Sequence, residues 1–95
     1  MEIYITAVLK AKPEHLEEVI TKLKNVVAQS RKEEANILYN LHQAVDDRNT
    51  LTLYEVWRDE AGLAAHNEQT YFKELGGLFE TKLQQAPVIL LTNLI

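Results

Sequence analysis

The chain has 95 residues, 46% of them hydrophobic and 25% charged, with a formal net charge of -4 and no cysteine. That size and balance give one globular domain over residues 1–95, with an adequate but thin core. The acidic surplus speaks against nucleic acid as a partner, and the missing cysteines exclude disulfides, thiolate nucleophiles and cysteine-built metal sites, which fits a reducing cytoplasm.

Residues 2–10 alternate. Ile3, Ile5, Ala7 and Leu9 point one way; Tyr4, Thr6, Val8 and Lys10 point the other. Period two with β-branched residues reads as a strand, and its second face is too apolar to stay uncovered. The same MEIYITAVLK stretch is not a signal peptide, since it has an acidic second residue and polar breaks. Nowhere does an apolar run approach the roughly 20 residues of a membrane span.

Pro13 suits a first helical position, and Glu14, Glu17 and Glu18 complement the positive end of a helix dipole. Leu16, Val19, Ile20, Leu23, Val26 and Val27 form one apolar stripe, so a helix is expected from Pro13 to between Ser30 and Glu33.

Asn36 to Val45 is extended again. Ile37, Tyr39, Leu41, Gln43 and Val45 share one face; Leu38, Asn40, His42 and Ala44 share the other. Asp46-Asp47-Arg48-Asn49 is turn chemistry. The strand Thr50–Arg58 follows, with Leu51, Leu53, Glu55 and Trp57 on one face. The two make an antiparallel hairpin. Asp59 is a good N-cap for a helix from Glu60. Its apolar phase slips near Asn67 to Thr70, which predicts a kink. Gly76-Gly77 predicts close packing or a bend in the second part. Val88 to Ile95 is a last strand, apolar on both faces.

The order is strand, helix, strand, strand, helix, strand. The predicted fold class is α+β, a ferredoxin-like βαββαβ unit with a four-stranded antiparallel sheet. Helices cover one sheet face, and a second copy is expected to cover the other, giving a homodimer.

Several side chains are candidates for chemistry. Glu55 sits among Leu51, Leu53 and Trp57, where a carboxylate is costly unless paired or protonated. A pocket pairing with His66 on the following helix is one reading; an edge salt bridge is the other. His66 and His42 can each act as a base near neutral pH or serve as structural histidines. Trp57, Tyr39, Tyr71 and Phe72 read as pocket lining or core. Asn40, disfavoured inside a strand, suggests a specific partner. No HxH or HxxxH spacing points to a metal, and no GxGxxG, phosphate loop or nucleophile elbow points to a nucleotide or to serine hydrolysis.

The stretches NILYNLHQAVDD and LYEVWRDEAGLAAHNEQTYFKEL, with Tyr39, Gln43, Asp47, Glu55, Trp57, Asp59, His66 and Phe72 at the matching places, resemble the antibiotic biosynthesis monooxygenase superfamily. The resemblance spans nearly the whole chain. It implies a dimeric α/β barrel with a small-molecule pocket in each subunit between sheet and helices. It further implies oxidation of a quinol-like or phenolic aromatic by molecular oxygen, with no metal or other cofactor. On that reading His66 or His42 is the base and Glu55 orients the imidazole. Tyr39, Trp57, Tyr71 and Phe72 line the ring pocket, and Asn40 binds an oxygen. The haem-degrading branch carries an Asn, a Trp and a His where this chain has Ala7, His66 and Gly76, so haem degradation is disfavoured. Two alternatives remain: an isomerase of a small oxygenated, sugar-phosphate-like metabolite, and a ligand-binding dimer without catalysis.

Overall fold

A computed structural model describes residues 1–95. The elements are β1 (Ile3–Lys10), α1 (Leu16–Ser30), β2 (Asn36–Gln43), β3 (Thr50–Trp57), α2 (Glu60–Asn67), α3 (Thr70–Lys73), α4 (Leu75–Lys82) and β4 (Val88–Thr92). The four strands form one sheet in the order β2-β3-β1-β4, every neighbouring pair antiparallel. This is the predicted α+β, ferredoxin-like arrangement. No helix is long and apolar enough to cross a membrane.

The alternation in β1 holds through the strand: Ile3, Ile5, Ala7 and Leu9 are buried, and the intervening residues are half-buried. The buried set faces the helices. On α1, Leu16, Val19, Leu23, Val26 and Val27 are buried along the predicted stripe, and Ile20 packs at its margin. Pro13 opens a turn of 3-10 helix, Pro13–His15, so the α-helix proper begins three residues later than the sequence suggests. The hairpin turn closes as its chemistry requires. Asp47 Oδ1 accepts from the Asn49 amide at 3.0 Å and Oδ2 accepts from the Thr50 hydroxyl at 2.7 Å.

Two departures matter. The pairing of β2 with β3 shifts between Asn36 and Leu38, and the extra residue, Ile37, is turned out to solvent. A bulge of this kind leaves one residue unpaired and re-aims the side chains beyond it. Ile37 therefore leaves the face it was expected to share with Tyr39. The second departure concerns Gly76 and Gly77. Both lie on the exposed side of α4, and a methyl group at either would meet no atom within 4 Å. Close packing is not their reason. Their backbone is not left-handed, so Gly76→Ala and Gly77→Ala are each expected to stabilise the fold by roughly 0.5–1 kcal/mol, read as a higher denaturant midpoint with unchanged slope.

Gly62 is different. A Cβ there would collide with the Ala35 methyl group. Its absence lets α2 lie against the α1–β2 connection, and that approach sets the geometry of the site.

Candidate active site

Between the sheet and the helices lies a cavity of about 270 Å³. Ile5, Ala7, Leu9 and Leu53 form its floor; Leu63, Phe72, Leu75 and Phe79 form its roof; Ile89 and Leu91 of β4 stand at its side. The polar lining is small: Glu55, His66, Asn67 and the phenol of Tyr39. No Lys or Arg lines it.

Strand alternation places Glu55 here. It shares the helix-facing side of β3 with Leu53 and Trp57, sits opposite Tyr39 of β2, and is 5% exposed. Residues two apart on a strand are same-face neighbours, so the Trp57 indole N–H donates to Glu55 Oε1 at 2.9 Å. Burial pushes the Glu55 carboxyl above its ordinary value, and the Trp57 hydrogen bond opposes that rise without cancelling it. Burial, then the nearby Glu55 charge, pushes the Tyr39 phenol upward too. Tyr39 therefore stays neutral, and its hydroxyl is buried without a partner.

The raised Glu55 carboxyl has a consequence for stability. In acid the group is protonated in both folded and unfolded chains and contributes nothing. As pH rises through the unfolded carboxylate range, the unfolded chain releases its proton first, and the fold loses stability until Glu55 ionises as well. Glu55→Gln keeps an acceptor for Trp57 and removes that loss. It is expected to be more stable than the parent at pH 7 and to lose the advantage in acid, as denaturant titrations at the two pH values will report.

Asp59 caps α2 by accepting from the Gly62 amide at 2.8 Å. The helix so started carries His66 into the cavity wall, 1% exposed. Its ring packs on Trp57 with centroids 4.4 Å apart and against Phe72 at 4.7 Å. His66 Nδ1 lies 2.7 Å from Oε2 of Glu33, in the α1–β2 connection. The Tyr71 hydroxyl donates to the same oxygen. Burial, with Glu33 beside it, pushes the Tyr71 phenol up to about 12, so it remains a neutral donor. A carboxylate only accepts, so the Nδ1 nitrogen carries the proton. In the neutral ring Nε2 then holds the free lone pair, and this atom is buried with no hydrogen-bond partner.

The structure therefore gathers four of the candidate residues, Tyr39, Glu55, His66 and Phe72, on one cavity. It separates the others. Trp57 stands behind His66 and Glu55, outside the lining. Tyr71 sits at the outer side, against Glu33. Asn40 and His42 need correcting: both project from the opposite sheet face, across from Tyr54 and Thr52. Asn40 accepts from Arg31 at 3.1 Å, and His42 is exposed. The pairing of Glu55 with His66 also needs correcting, because Glu55 takes Trp57 as its partner and His66 takes Glu33.

Glu33 and Asn67 are the additions. One sequence signal points to Glu33: two carboxylates, Glu33 and Glu34, lie directly beyond the carbonyl end of α1, where the helix dipole disfavours negative charge.

A family model described as antibiotic biosynthesis monooxygenase matches residues 2–76. A candidate monooxygenase of Bacillus subtilis (strain 168), YcnE, is 39% identical over 71 residues, which is 75% of either chain. The crystal structure of PA3566 from Pseudomonas aeruginosa superimposes with a TM-score of 0.92 at 30% identity, covering 99% of this chain and 94% of that one. Rv0793 from Mycobacterium tuberculosis shares the fold at a TM-score of 0.94 and 16% identity, over 100% and 96% of the two chains. The match over β1 to the start of α4, with a relative 39% identical over 71 residues, settles the affiliation: the chain belongs to the antibiotic biosynthesis monooxygenase family.

Proposed function

We propose that this protein is a cofactor-independent monooxygenase that oxidises a quinol-like or phenolic aromatic with molecular oxygen, acting as a homodimer. The observation that carries the reading is the free Nε2 of His66: a buried, unpartnered imidazole nitrogen on an apolar cavity, its ring held by Glu33.

The chemistry rests on what the residues can do. A phenol placed in the cavity gives its hydroxyl proton to Nε2. The phenolate is electron-rich enough to pass an electron to oxygen, and the pair recombines at a ring carbon. Loss of water from the resulting hydroperoxide leaves a quinone. One oxygen atom enters the ring, the other leaves as water, and the substrate supplies all four electrons. His66 accepts the proton and returns it. Phe72 and Phe79 orient the ring, and the dry walls keep the phenolate from being solvated. The Glu55 carboxyl, buried in the same wall, can hydrogen-bond a substrate hydroxyl.

Oxygen uptake with a panel of naphthols and hydroquinones, matched by quinone absorbance, tests the reading. Turnover that proceeds equally well under argon would transfer the site to the isomerase alternative. That alternative has less support, because a sugar phosphate needs a cation and the cavity offers none. Binding without turnover would leave a ligand-binding protein.

The dimer rests on the second sheet face. Val88 and Leu90 of β4 are half exposed opposite Val8 and Thr6, and Tyr54 lies on the same side, across from Thr6. An apolar face of this extent is an interface by the usual standard. Light scattering is expected to give twice 10.9 kDa, and Leu90→Asp is expected to give the monomer mass. A parent protein that already runs as a monomer at micromolar concentration removes the dimer from the proposal.

A further inference from the structure

His66 and Glu33 stand between two different spaces. His66 lines the inner apolar cavity. Glu33 does not; it lines a separate cleft of about 320 Å³ on the outer surface, bounded by Glu34, Arg58, Ala61, Ala65 and Gln69. The 2.7 Å hydrogen bond between the two side chains is thus a bridge through the wall that divides an apolar cavity from a solvent-facing cleft. A base that works in a hydrophobic cavity has to exchange its proton with water somewhere. If that exchange used the substrate's own opening, water would enter with it.

We propose that Glu33 is a proton relay, connecting His66 to solvent through the outer cleft and not through the substrate cavity. The proposal deepens the oxygenase reading and rests on His66 being its base. In the outward leg, Nε2 bonds to the proton of the substrate hydroxyl. The Nδ1–H bond then breaks, Glu33 Oε2 takes that proton, and the resulting carboxylic acid gives it to water in the outer cleft. In the return leg, water reprotonates Glu33 and Glu33 reprotonates Nδ1. Nε2 delivers its proton to the reduced oxygen. No electron moves in either leg, and the imidazole ends as it began. The groups facing His66 are few. Glu33 comes from the α1–β2 connection, Tyr71 and Phe72 from α3, and Glu55, Tyr39 and Trp57 from the sheet. Tyr71, a neutral donor to the shared oxygen, positions the carboxylate without carrying the proton.

The sole tryptophan supplies a probe that needs no substrate. Trp57 packs on His66 at 4.4 Å, and a protonated imidazole at that range quenches indole emission. A stopped-flow pH jump on the intact protein therefore reads how fast His66 gains or loses a proton, and His66→Gln identifies the signal. The parent protein is expected to relax within the mixing time. Glu33→Gln keeps an acceptor for Nδ1–H but cannot shuttle a proton, and its relaxation is expected to slow out of the mixing time into a resolved phase. Ala65→Leu, an exposed position on the cleft wall, leaves Glu33 in place and is expected to slow relaxation by narrowing the water route. Equal rates in the parent and both variants would overturn the relay. So would parent emission with no His66-dependent response to the pH jump. Because no substrate is involved, a parent that consumes no oxygen but relaxes fast in this Glu33-dependent way loses the oxygenase reading alone.

Discussion

His66→Gln is expected to lower naphthol-dependent oxygen uptake by about 10²- to 10⁴-fold, the range that a positioned general base contributes. The loss should fall on kcat more than on KM, because the substituted side chain is one wall among many in a cavity lined mainly by hydrocarbon. Gln has a volume close to that of His and can still hydrogen-bond Glu33, so the fold should survive. A near-parental melting temperature is the control that separates chemistry from collapse. Glu33→Ala should produce a smaller deficit in the same parameter, since it frees the ring to adopt the other tautomer or to rotate without removing it. His15→Gln serves as the histidine control: His15 lies at the surface beside Glu18, 3.4 Å away, and takes no part in lining the cavity. Unchanged oxygen uptake in His66→Gln would end the assignment of the base, whatever the reaction.

The contrast between what the residues announced and what they concealed has a physical cause. The sheet was readable because alternation is a local property: each strand states its own inward and outward sets, and Leu53, Glu55 and Trp57 needed only their spacing to be placed together. The same rule already separates His42 and Asn40 from Tyr39, because a strand cannot turn neighbours to one face. Ile37 broke the pattern because a bulge costs the sequence no special residue, and an isoleucine turned outward looks like one turned inward. The partner of His66 was hidden for another reason. Glu33 and His66 are 33 positions apart, and neither strand period nor helix period relates them. What brings them together is the approach of α2 to the α1–β2 connection, and that depends on a missing methyl group at Gly62 facing Ala35. Nor does a glycine inside a helix announce a close approach by itself, since a Cβ at Gly76 or Gly77 would meet no atom within 4 Å while one at Gly62 would. Asn67, at the last position of α2, falls where the apolar phase slips, so its direction was equally unreadable.

Trp57→Ala is expected to be the most damaging single substitution in the chain. The indole is completely buried, and it touches both halves of the site: it packs edge-on against Tyr39 at 6.3 Å, stacks on His66 and donates to Glu55. Truncating such a residue costs about 3–5 kcal/mol in cavity and transfer terms. A domain of this size holds only about 5–15 kcal/mol in total, and each kcal/mol moves its melting temperature by about 4–8 °C. Trp57→Phe separates packing from hydrogen bonding. It retains most of the ring but leaves Glu55 buried without its donor, a loss of about 1–3 kcal/mol. That loss should depend on pH in a definite direction. In acid Glu55 is protonated whether the chain is folded or not, and Trp57→Phe should show little beyond its packing defect. As pH rises past the carboxylate range the unfolded chain ionises freely while the folded one resists more than the parent does, so the deficit should grow toward neutrality. Adding Glu55→Gln to Trp57→Phe should abolish the growth and leave a deficit nearly independent of pH. Should Trp57→Phe instead lose the same stability at acid and neutral pH, Glu55 would not be ionising against a dry wall. The apolar, water-poor character assigned to the cavity, on which the phenolate chemistry depends, would then have to be abandoned.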